Sequence, residues 1–249
     1  MTSASSITSA KSHEKDDVFL GIDVGGTNVK LGLVDSAGQL LAKDSLATPE
    51  LGSPQRVFSA ALAFADRELP GMGSTDLAAI GLAVPGVLDT KESVLREVVN
   101  LPGWQGQPLR KILSDVRQLP SVVVNDANSA AYAEHSLRSL GHQSLALITL
   151  GTGIGCGLVI EGTPFSGDHG CAGELGHIAI RFGDDACMCS CGRRGHLEAY
   201  AGANGVLTQL RSLAKTNPQS DITSLISTGI ITPRDIAERA AIGCDLCRS

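Results

Sequence analysis

The chain has 249 residues, of which 43% are hydrophobic and only 3% aromatic. This length suffices for one large domain or two modest ones, with cores built from Val, Leu, Ile and Ala. A formal net charge of −6 argues against a nucleic-acid partner, because nucleic acids select basic surfaces. The uncharged stretch 144–160 is interrupted by glycines and divides into two strands, so we expect no membrane span.

The first 17 residues are polar and rich in Ser, Thr and Ala. They lack the apolar segment of a signal peptide, so the sequence predicts a disordered tail at 1–17 and a cytoplasmic protein. This tail is too short for an N-terminal DNA-binding helix-turn-helix. The odd number of cysteines, seven, also indicates a reducing compartment rather than a disulfide framework.

The first informative motif follows the tail. An apolar run, 18–22, ends at Asp23, and a Gly-Gly-Thr turn leads into a second apolar run, 29–34. Paired glycines allow positive φ and let backbone N–H groups approach an anion, while Asp23 can hold a metal ion or its bound water. The pattern is typical of a phosphate–Mg²⁺ site, but an ordinary hairpin turn with a surface Asp explains it equally well.

Between residues 50 and 140 the sequence alternates helical and strand patterns, which indicates α/β architecture. The patterns predict helices at 54–69, 108–116 and 127–140 and strands at 77–84 and 121–124. Asp126 follows the last of these strands, where α/β sheets place their chemistry. It could simply cap the next helix. Alternatively, a kinase acting on an alcohol needs a carboxylate to accept the hydroxyl proton, and Asp126 is the best-placed candidate.

The first motif recurs in the second half of the chain. An apolar run at 145–150 leads into a glycine turn, 151–155, and then into a second strand-like run, 156–160. This repeat predicts two similar half-domains with a ligand between their glycine turns. The second turn lacks the spacing and the following helix of a dinucleotide-binding finger. Two such turns indicate a phosphotransferase of the actin-like type.

A cysteine-rich segment follows, with Cys187, Cys189 and Cys191 between His177 and His196. Three cysteines so close together favour tetrahedral zinc ligation, although any single cysteine could be a small buried hydrophobe. A closed structural site would fix a loop that displays Glu174 and Glu198, whose carboxylates could accept hydrogen bonds from sugar hydroxyls.

Taken together, these motifs resemble those of the ROK family (repressor, open reading frame, kinase), and within it the bacterial glucokinases, over residues 18–205. The resemblance rests on the order of four motifs: Asp23-Val-Gly-Gly-Thr27-Asn-Val-Lys30, Asn125-Asp126-Ala-Asn128, Gly151-Thr-Gly-Ile-Gly155 and Ala-Gly-Glu174-Leu-Gly-His177. The loop at 100–104 is a weaker sign of the glucokinase branch.

The resemblance implies an α/β protein with the actin-like ATPase (ribonuclease H-like) fold, in which two half-domains surround a cleft. Residues 18–124 would form the N-terminal domain, and residues 125–249 the C-terminal domain with the sugar-site loop and zinc site. Kinases of the family continue with a glycine-rich turn that packs on the adenine. We find no such turn before Ser249, so we expect an incomplete second half-domain, exposed apolar faces at 145–160, marginal stability and weak ATP binding.

The resemblance also implies the activity, which is ATP- and Mg²⁺-dependent phosphorylation of a hexose, glucose at its 6-hydroxyl, with Asp126 as the general base. The implied sugar-binding residues are Asn100, Asn125, Glu174, His177 and Glu198. The implied ATP-binding residues are Asp23, Gly25, Gly26, Thr27, Lys30, Gly151, Thr152 and Gly153. The implied ligands of a structural Zn²⁺ are His177, Cys189, Cys191 and His196.

One departure concerns the zinc motif, which in the family reads C-x-C-G-x-x-G-C-x-E. Here His196 stands where the third cysteine would be, and Cys187 is a spare thiol. Imidazole still ligates zinc, so we expect the site to persist. Two other activities stay open: an N-acetylhexosamine or fructose kinase, and an inactive sugar-binding relative. A homodimer is the expected assembly.

Overall fold

A computed structural model describes residues 17–72, 76–89, 91, 93–98, 101–220, 222–223, 226 and 231–248. The predicted tail lies outside the described residues except for Asp17, and so does Asn100. The chain divides into two compact units, 1–82 with 110–122 and 83–109 with 123–249. The sequence predicted a single boundary after residue 124, but residues 83–109 belong to the second unit, where the Asn125 side chain binds the carbonyl of Gly86.

The first unit is built on an antiparallel meander of β1 (Val18–Val24), β2 (Asn28–Asp35) and β3 (Leu40–Ala47). These strands belong to a five-stranded sheet of order β3-β2-β1-β4-β7, with β4 at Ala79–Val84 and β7 at Ser121–Asn125. Burial alternates along β1, because successive side chains of a strand point to opposite faces. One face of the meander therefore forms the core of this unit.

Short helix α1 (Thr48–Leu51), helix α2 (Pro54–Glu68) and a 3₁₀ turn (Leu69–Met72) follow the meander. Helix α2 begins as its sequence predicts, since the Ser53 hydroxyl accepts a hydrogen bond from the N–H of Arg56 and proline occupies the first helical position. Its buried face packs on β2. Helix α3 (Leu109–Val116) precedes β7.

The second unit begins with the hairpin of β5 (Val87–Asp89) and β6 (Val94–Glu97). Helix α4 (Asp126–Leu137) packs against an antiparallel sheet of order β10-β9-β8. The strands of this sheet are β8 (Leu145–Leu150), β9 (Ile154–Ile160) and β10 (Thr163–Pro164). A Cβ at Gly157 would collide with the Ala127 carbonyl, so glycine is required for this close approach of helix and strand.

The two strands at 145–160 differ in exposure. On β8, Ile148 and Leu150 are 53% and 75% exposed, as the sequence led us to expect for this stretch. On β9, however, Ile154, Cys156 and Val159 are buried. The apolar surface at 145–160 is therefore open mainly along β8.

The other elements for which the described residues give bounds are a 3₁₀ turn (Leu175–His177), α5 (Glu198–Ala201), α6 (Ala203–Thr216), α7 (Pro233–Ala241) and α8 (Asp245–Arg248). A separate apolar cluster lies among α6, α7 and α8, and its buried members are Leu210, Ile222, Ile231 and Ile236. Among the described residues, no helix has the length and apolarity to cross a membrane.

Candidate functional site

The first glycine turn joins β1 to β2 in the first unit. The N–H of Gly25 donates to the carbonyl of Asn28 at 2.9 Å, and the Thr48 hydroxyl donates to the Gly25 carbonyl at 2.6 Å. The φ of Gly25 lies outside the left-handed region, but a Cβ there would be 2.9 Å from the Asn28 oxygen. Glycine is thus required for a close backbone approach and not, as the sequence suggested, for positive φ.

Two charged residues flank this turn at paired positions of the β1–β2 ladder. Asp23 lies opposite Lys30, and Lys30 Nζ is 3.3 Å from Asp23 Oδ2. Both side chains are largely exposed, so they are accessible to an anion and its counterion. Gly26 and Thr27 lie in the turn itself, and the carbonyl of Thr27 accepts a hydrogen bond from the N–H of Thr48.

The second glycine turn joins β8 to β9 in the second unit. The N–H of Gly151 donates to the carbonyl of Gly153 at 2.9 Å. The carbonyls of Gly151 and Thr152 accept hydrogen bonds from the N–H groups of Ala203 and Asn204, the first two residues of α6. The turn is thus held by the N-terminus of a helix that follows it by about fifty residues in the chain.

Glu198, the first residue of α5, contacts this turn directly. Its Oε2 accepts a hydrogen bond from the N–H of Ile154 at 3.0 Å, and its Oε1 accepts one from the Ser190 hydroxyl at 2.9 Å. A Cβ at Gly153 would collide with the carboxylate. Sequence reasoning missed Ser190, whose only signal is its place between two cysteines. Carboxylate oxygens accept more than one hydrogen bond each, so these bonds are compatible with a sugar contact.

The strand-end acid predicted as the general base lies at the start of α4. Asn125 caps this helix: its Oδ1 accepts the N–H of Asn128 at 3.1 Å, and its Nδ2 donates to the carbonyl of Gly86 at 3.1 Å. Asp126 is therefore the first helical residue, and its Oδ1 accepts the N–H of Ala127 at 2.8 Å. The alternative that Asp126 is simply the N-cap is wrong, because Asn125 has that role.

Asn128, the last residue of the same motif, is buried, with 5% of its surface exposed. Its Oδ1 accepts the N–H of Leu158 at 3.0 Å, and its Nδ2 donates to the Ser166 hydroxyl at 3.1 Å. It thereby fixes α4 to β9 and to the loop that leads to Glu174. The sequence motif contained this residue, but only the structure gives it a positioning role.

Glu174 and His177 lie at the two ends of the short 3₁₀ turn, with 3.8 Å between Glu174 Oε2 and His177 Nε2. Burial raises the pKa of Glu174, the histidine opposes this effect, and the carboxylates of Asp126, Glu198 and Glu97 raise the pKa further. The predicted base and the predicted sugar-binding acids therefore share one electrostatic environment in the second unit.

Four predicted metal ligands converge in the second unit. One ring nitrogen each of His177 and His196 and the Sγ atoms of Cys189 and Cys191 all lie within 4.8 Å of one another. The two Nδ1 atoms are 3.3 Å apart, Cys191 Sγ is 3.3 Å from His196 Nδ1, and Cys189 Sγ is 3.8 Å from His177 Nδ1. Tetrahedral zinc, with bonds of about 2.0–2.3 Å, needs ligand separations of roughly this size.

The backbone of the loop that carries these four residues is fixed at Cys187 and at Gly195. Cys187 is outside the metal-ligand group, and its N–H donates to the Tyr200 hydroxyl at 2.8 Å. Gly195 has φ of +81°, and a Cβ there would also collide with the Arg181 carbonyl. Only glycine satisfies both conditions, and it places His196 directly after the turn.

The structure thus brings Asn125, Asp126, Glu174, His177 and Glu198 into the second unit with the predicted metal ligands and the second turn. The first turn belongs to the first unit. Asn100 lies outside the described residues, so its predicted sugar contact stays a prediction.

Comparison with known proteins gives consistent relatives. The profile described as "ROK family" matches residues 19–243. A glucokinase of Halalkalibacterium halodurans is 32% identical over 229 residues, which cover 90% of this chain and 69% of the relative. A xylose repressor of Caldicellulosiruptor bescii is 30% identical (92% of this chain, 58% of the relative), and an N-acetylmannosamine kinase of Escherichia coli O6:H1 is 28% identical (90% and 75%).

Two solved structures are similar over most of the chain. The ROK hexokinase from Thermus thermophilus has a TM-score of 0.72 at 33% identity, covering 93% of this chain and 71% of the hexokinase. The ROK family glucokinase from Streptomyces griseus, solved with glucose and AMPPNP, has a TM-score of 0.72 at 31% identity, covering 92% and 73%. These similarities confirm the predicted actin-like ATPase fold.

Proposed function

Because this chain belongs to the ROK family, we propose that it is an ATP-dependent sugar kinase that phosphorylates glucose at its 6-hydroxyl. One observation carries the proposal. Asp126 begins α4 directly after its cap residue, Asn125, and the negative charges of Asp126 and Glu198 both raise the pKa of Glu174. A base and two hydroxyl acceptors in one environment suit phosphoryl transfer to a sugar.

In this mechanism Asp126 accepts the proton of the sugar hydroxyl as the oxygen attacks the γ-phosphorus, and ADP leaves with the electrons of the broken P–O bond. The carboxylate gains one proton and releases it after product departure. Since phosphoryl transfer depends mainly on alignment, the fixed position of Asp126 at the start of α4 is its main contribution.

The sugar is held by carboxylates and polar side chains of the second unit. Glu174 and Glu198 accept hydrogen bonds from sugar hydroxyls, and such charge-assisted bonds are stronger than neutral ones. His177 Nε2 lies on the side of Glu174, away from the Nδ1 atom that belongs to the metal-ligand group. Asn125 and Asn100 complete the proposed set.

Each glycine turn, taken within its own unit, is proposed to bind phosphate of ATP. In the first unit, backbone N–H groups of the turn and the Lys30 ammonium would bind phosphate oxygens, and Asp23 would hold a hydrated Mg²⁺ that neutralises charge on the phosphates. In the second unit, backbone N–H groups of the second turn would bind phosphate in the same way. The tight first turn and the exposed Asp23–Lys30 pair support this assignment. The proposed set from the two turns is Asp23, Gly25, Gly26, Thr27, Lys30, Gly151, Thr152 and Gly153.

The His₂Cys₂ group fits a structural Zn²⁺. Two thiolates and two imidazoles are the donors that zinc prefers, and four protein ligands leave no position for a reacting water. The ion would fix the segment 187–198 and, through it, Glu198 and His177. His177 would then serve both the metal, through Nδ1, and the sugar, through Nε2.

Specificity for glucose is supported by the relatives named glucokinase, of which one is 32% identical. The N-acetylmannosamine kinase at 28% identity supports an N-acetylhexosamine as the second candidate. A cytoplasmic homodimer is part of the same proposal, and light scattering of the purified chain tests the dimer.

A panel of sugars tests the function. The full chain is assayed with ATP–Mg²⁺ and glucose, fructose, mannose, N-acetylglucosamine or N-acetylmannosamine, and calorimetry measures sugar binding in parallel. We expect the highest kcat/KM with glucose. Sugar binding without ADP formation would support a non-catalytic regulator, as the repressor relative suggests. If no sugar of the panel is bound and none is phosphorylated, the proposal is overturned.

A further inference from the structure

A pair of cysteines outside the proposed kinase site lies at the start of α8. Cys244 directly precedes the helix, and Cys247 is its third residue, so the two thiols follow the spacing C-x-x-C. The N–H of Cys247 donates to the carbonyl of Cys244 at 3.1 Å, so the two residues lie in one turn of the chain. This spacing in one helical turn brings two sulfurs within reach of an intramolecular disulfide.

The surroundings of the two thiols differ. Cys244 lies in the wall of a surface cavity of about 530 Å³, whose lining also includes Ser220. Its Sγ is 3.8 Å from the Ser220 hydroxyl. Both cysteines pack against the apolar cluster around Leu210, but Cys247 is not among the residues that line the cavity. A reagent in the cavity would therefore meet Cys244 first, and cavities of this size hold small molecules.

The thiol that lines the cavity, Cys244, is also the more acidic of the two. For Cys244, burial opposes ionisation, but hydrogen bonds from Cys247, Ser220 and the N–H of Leu246 outweigh it, and its pKa lies below the usual value. Burial and the hydrogen bond to Cys244 raise the pKa of Cys247 to about 11. The thiol that lines the cavity is thus the better nucleophile, and the thiol of Cys247 retains its proton.

We propose that Cys244 and Cys247 form a dithiol redox site, in which a small disulfide of the glutathione type enters the cavity and oxidises the pair. The Cys244 thiolate attacks one sulfur of the disulfide, and the other sulfur leaves as a thiolate that takes up a proton. Cys247 then loses its proton and attacks Cys244 Sγ, which releases the second small thiol. Two protein thiols are oxidised, and one small disulfide is reduced to two thiols.

The site is independent of the kinase proposal and can be tested in the full chain. The protein is equilibrated with oxidised and reduced glutathione at graded ratios, quenched with an alkylating reagent and digested with trypsin. Cleavage after Arg239 and Arg248 gives one peptide with both cysteines. We expect this peptide to become lighter by two hydrogen atoms and resistant to alkylation as the oxidised fraction rises.

Variants identify the attacking thiol. Cys247→Ser should accumulate a glutathione adduct on Cys244, whereas Cys244→Ser should form the adduct on Cys247 at least about tenfold more slowly, because the Cys247 thiol does not line the cavity and is less acidic. Cys171→Ser, which removes an exposed cysteine elsewhere, should leave the disulfide unchanged. Double alkylation of the wild-type peptide at every ratio would overturn the proposal, and so would the same Cys244 preference in urea, where no cavity exists.

Discussion

The carboxylate of Glu198 accepts a hydrogen bond from the N–H of Ile154, at 3.0 Å. Ile154 begins the strand after the second glycine turn, and Glu198 also accepts the Ser190 hydroxyl from the cysteine loop. One side chain thus connects a turn proposed to bind phosphate with a loop proposed to bind metal. Displacement of that loop should therefore weaken the binding of both the sugar and ATP.

Ser190→Ala tests this connection. The variant removes one hydrogen bond to the Glu198 carboxylate in an exposed position, a loss of about 1 kcal/mol, which corresponds to roughly fivefold in affinity. We expect KM for the sugar to rise by about that factor with kcat within twofold and the metal content unchanged. Steady-state kinetics and elemental analysis measure these quantities. The control is Ser212→Ala, at an exposed position of α6. An unchanged KM in Ser190→Ala would show that the bond does not position Glu198.

Asp126→Asn tests the general base. The amide retains the size of the side chain but cannot accept the hydroxyl proton, so kcat should fall by roughly 10²-fold or more, while the Kd for sugar changes only a few-fold. Because Asn125 caps α4, stability should change by no more than about 1 kcal/mol. Kinetics, calorimetry and urea unfolding give the three values. A near-normal kcat would exclude this role.

Whether a structural feature could be predicted from the sequence depends on whether residues close together in the chain determine it. Strand-end acids such as Asp126, glycine turns and closely spaced cysteines are local patterns, so the elements and the convergence of His177, Cys189, Cys191 and His196 could be predicted. The contacts of Asn128 with Leu158 and of Ser190 with Glu198 join distant elements, and no spacing rule encodes them. For the same reason the assignment of residues 83–109 to the second unit could not be predicted.

Asn128→Ala tests the positioning role of the buried amide. The variant leaves the N–H of Leu158 without its acceptor inside the second unit, which should cost about 1–3 kcal/mol of unfolding free energy. It also frees the Ser166 loop, so KM for sugar should rise. Urea unfolding measures the first effect and kinetics the second. Asn217→Ala, at an exposed helix end, is the control with a change below about 0.5 kcal/mol. Equal losses in the two variants would contradict the assignment.

The Asp66–Arg117 pair of the first unit should give a pH-dependent contribution. Both guanidinium nitrogens contact the carboxylate at 2.7 Å, and this hydrogen-bonded contact lowers the pKa of Asp66. A lowered pKa in the folded state means stability that is present above the unfolded pKa, near 4, and is lost as the pH falls through the folded value. Both groups are partly exposed, so Asp66→Asn should cost no more than about 1 kcal/mol at pH 7. Urea titrations should show this difference vanishing at acidic pH, and a difference constant from pH 7 to 3 would contradict the assignment.

The last prediction concerns the metal. Protein purified without chelator should contain one zinc per chain, and its removal should lower Tm by on the order of 5–10 °C, because an ion bound only by the folded state stabilises it. Cys189→Ser and Cys191→Ser should lose zinc and weaken sugar binding, since the loop that carries Glu198 is then released.

Two variants decide whether the four converging side chains are the ligands. His196→Cys should retain zinc, because thiolate and imidazole both ligate it, and Cys187→Ser should also retain it, because Cys187 lies outside the group. Elemental analysis of these variants beside Cys189→Ser separates a specific site from adventitious thiol binding, in which every lost cysteine would lower the metal content equally. Absence of zinc from the wild-type protein, or loss of zinc in Cys187→Ser alone, would show that the ligand set is wrong.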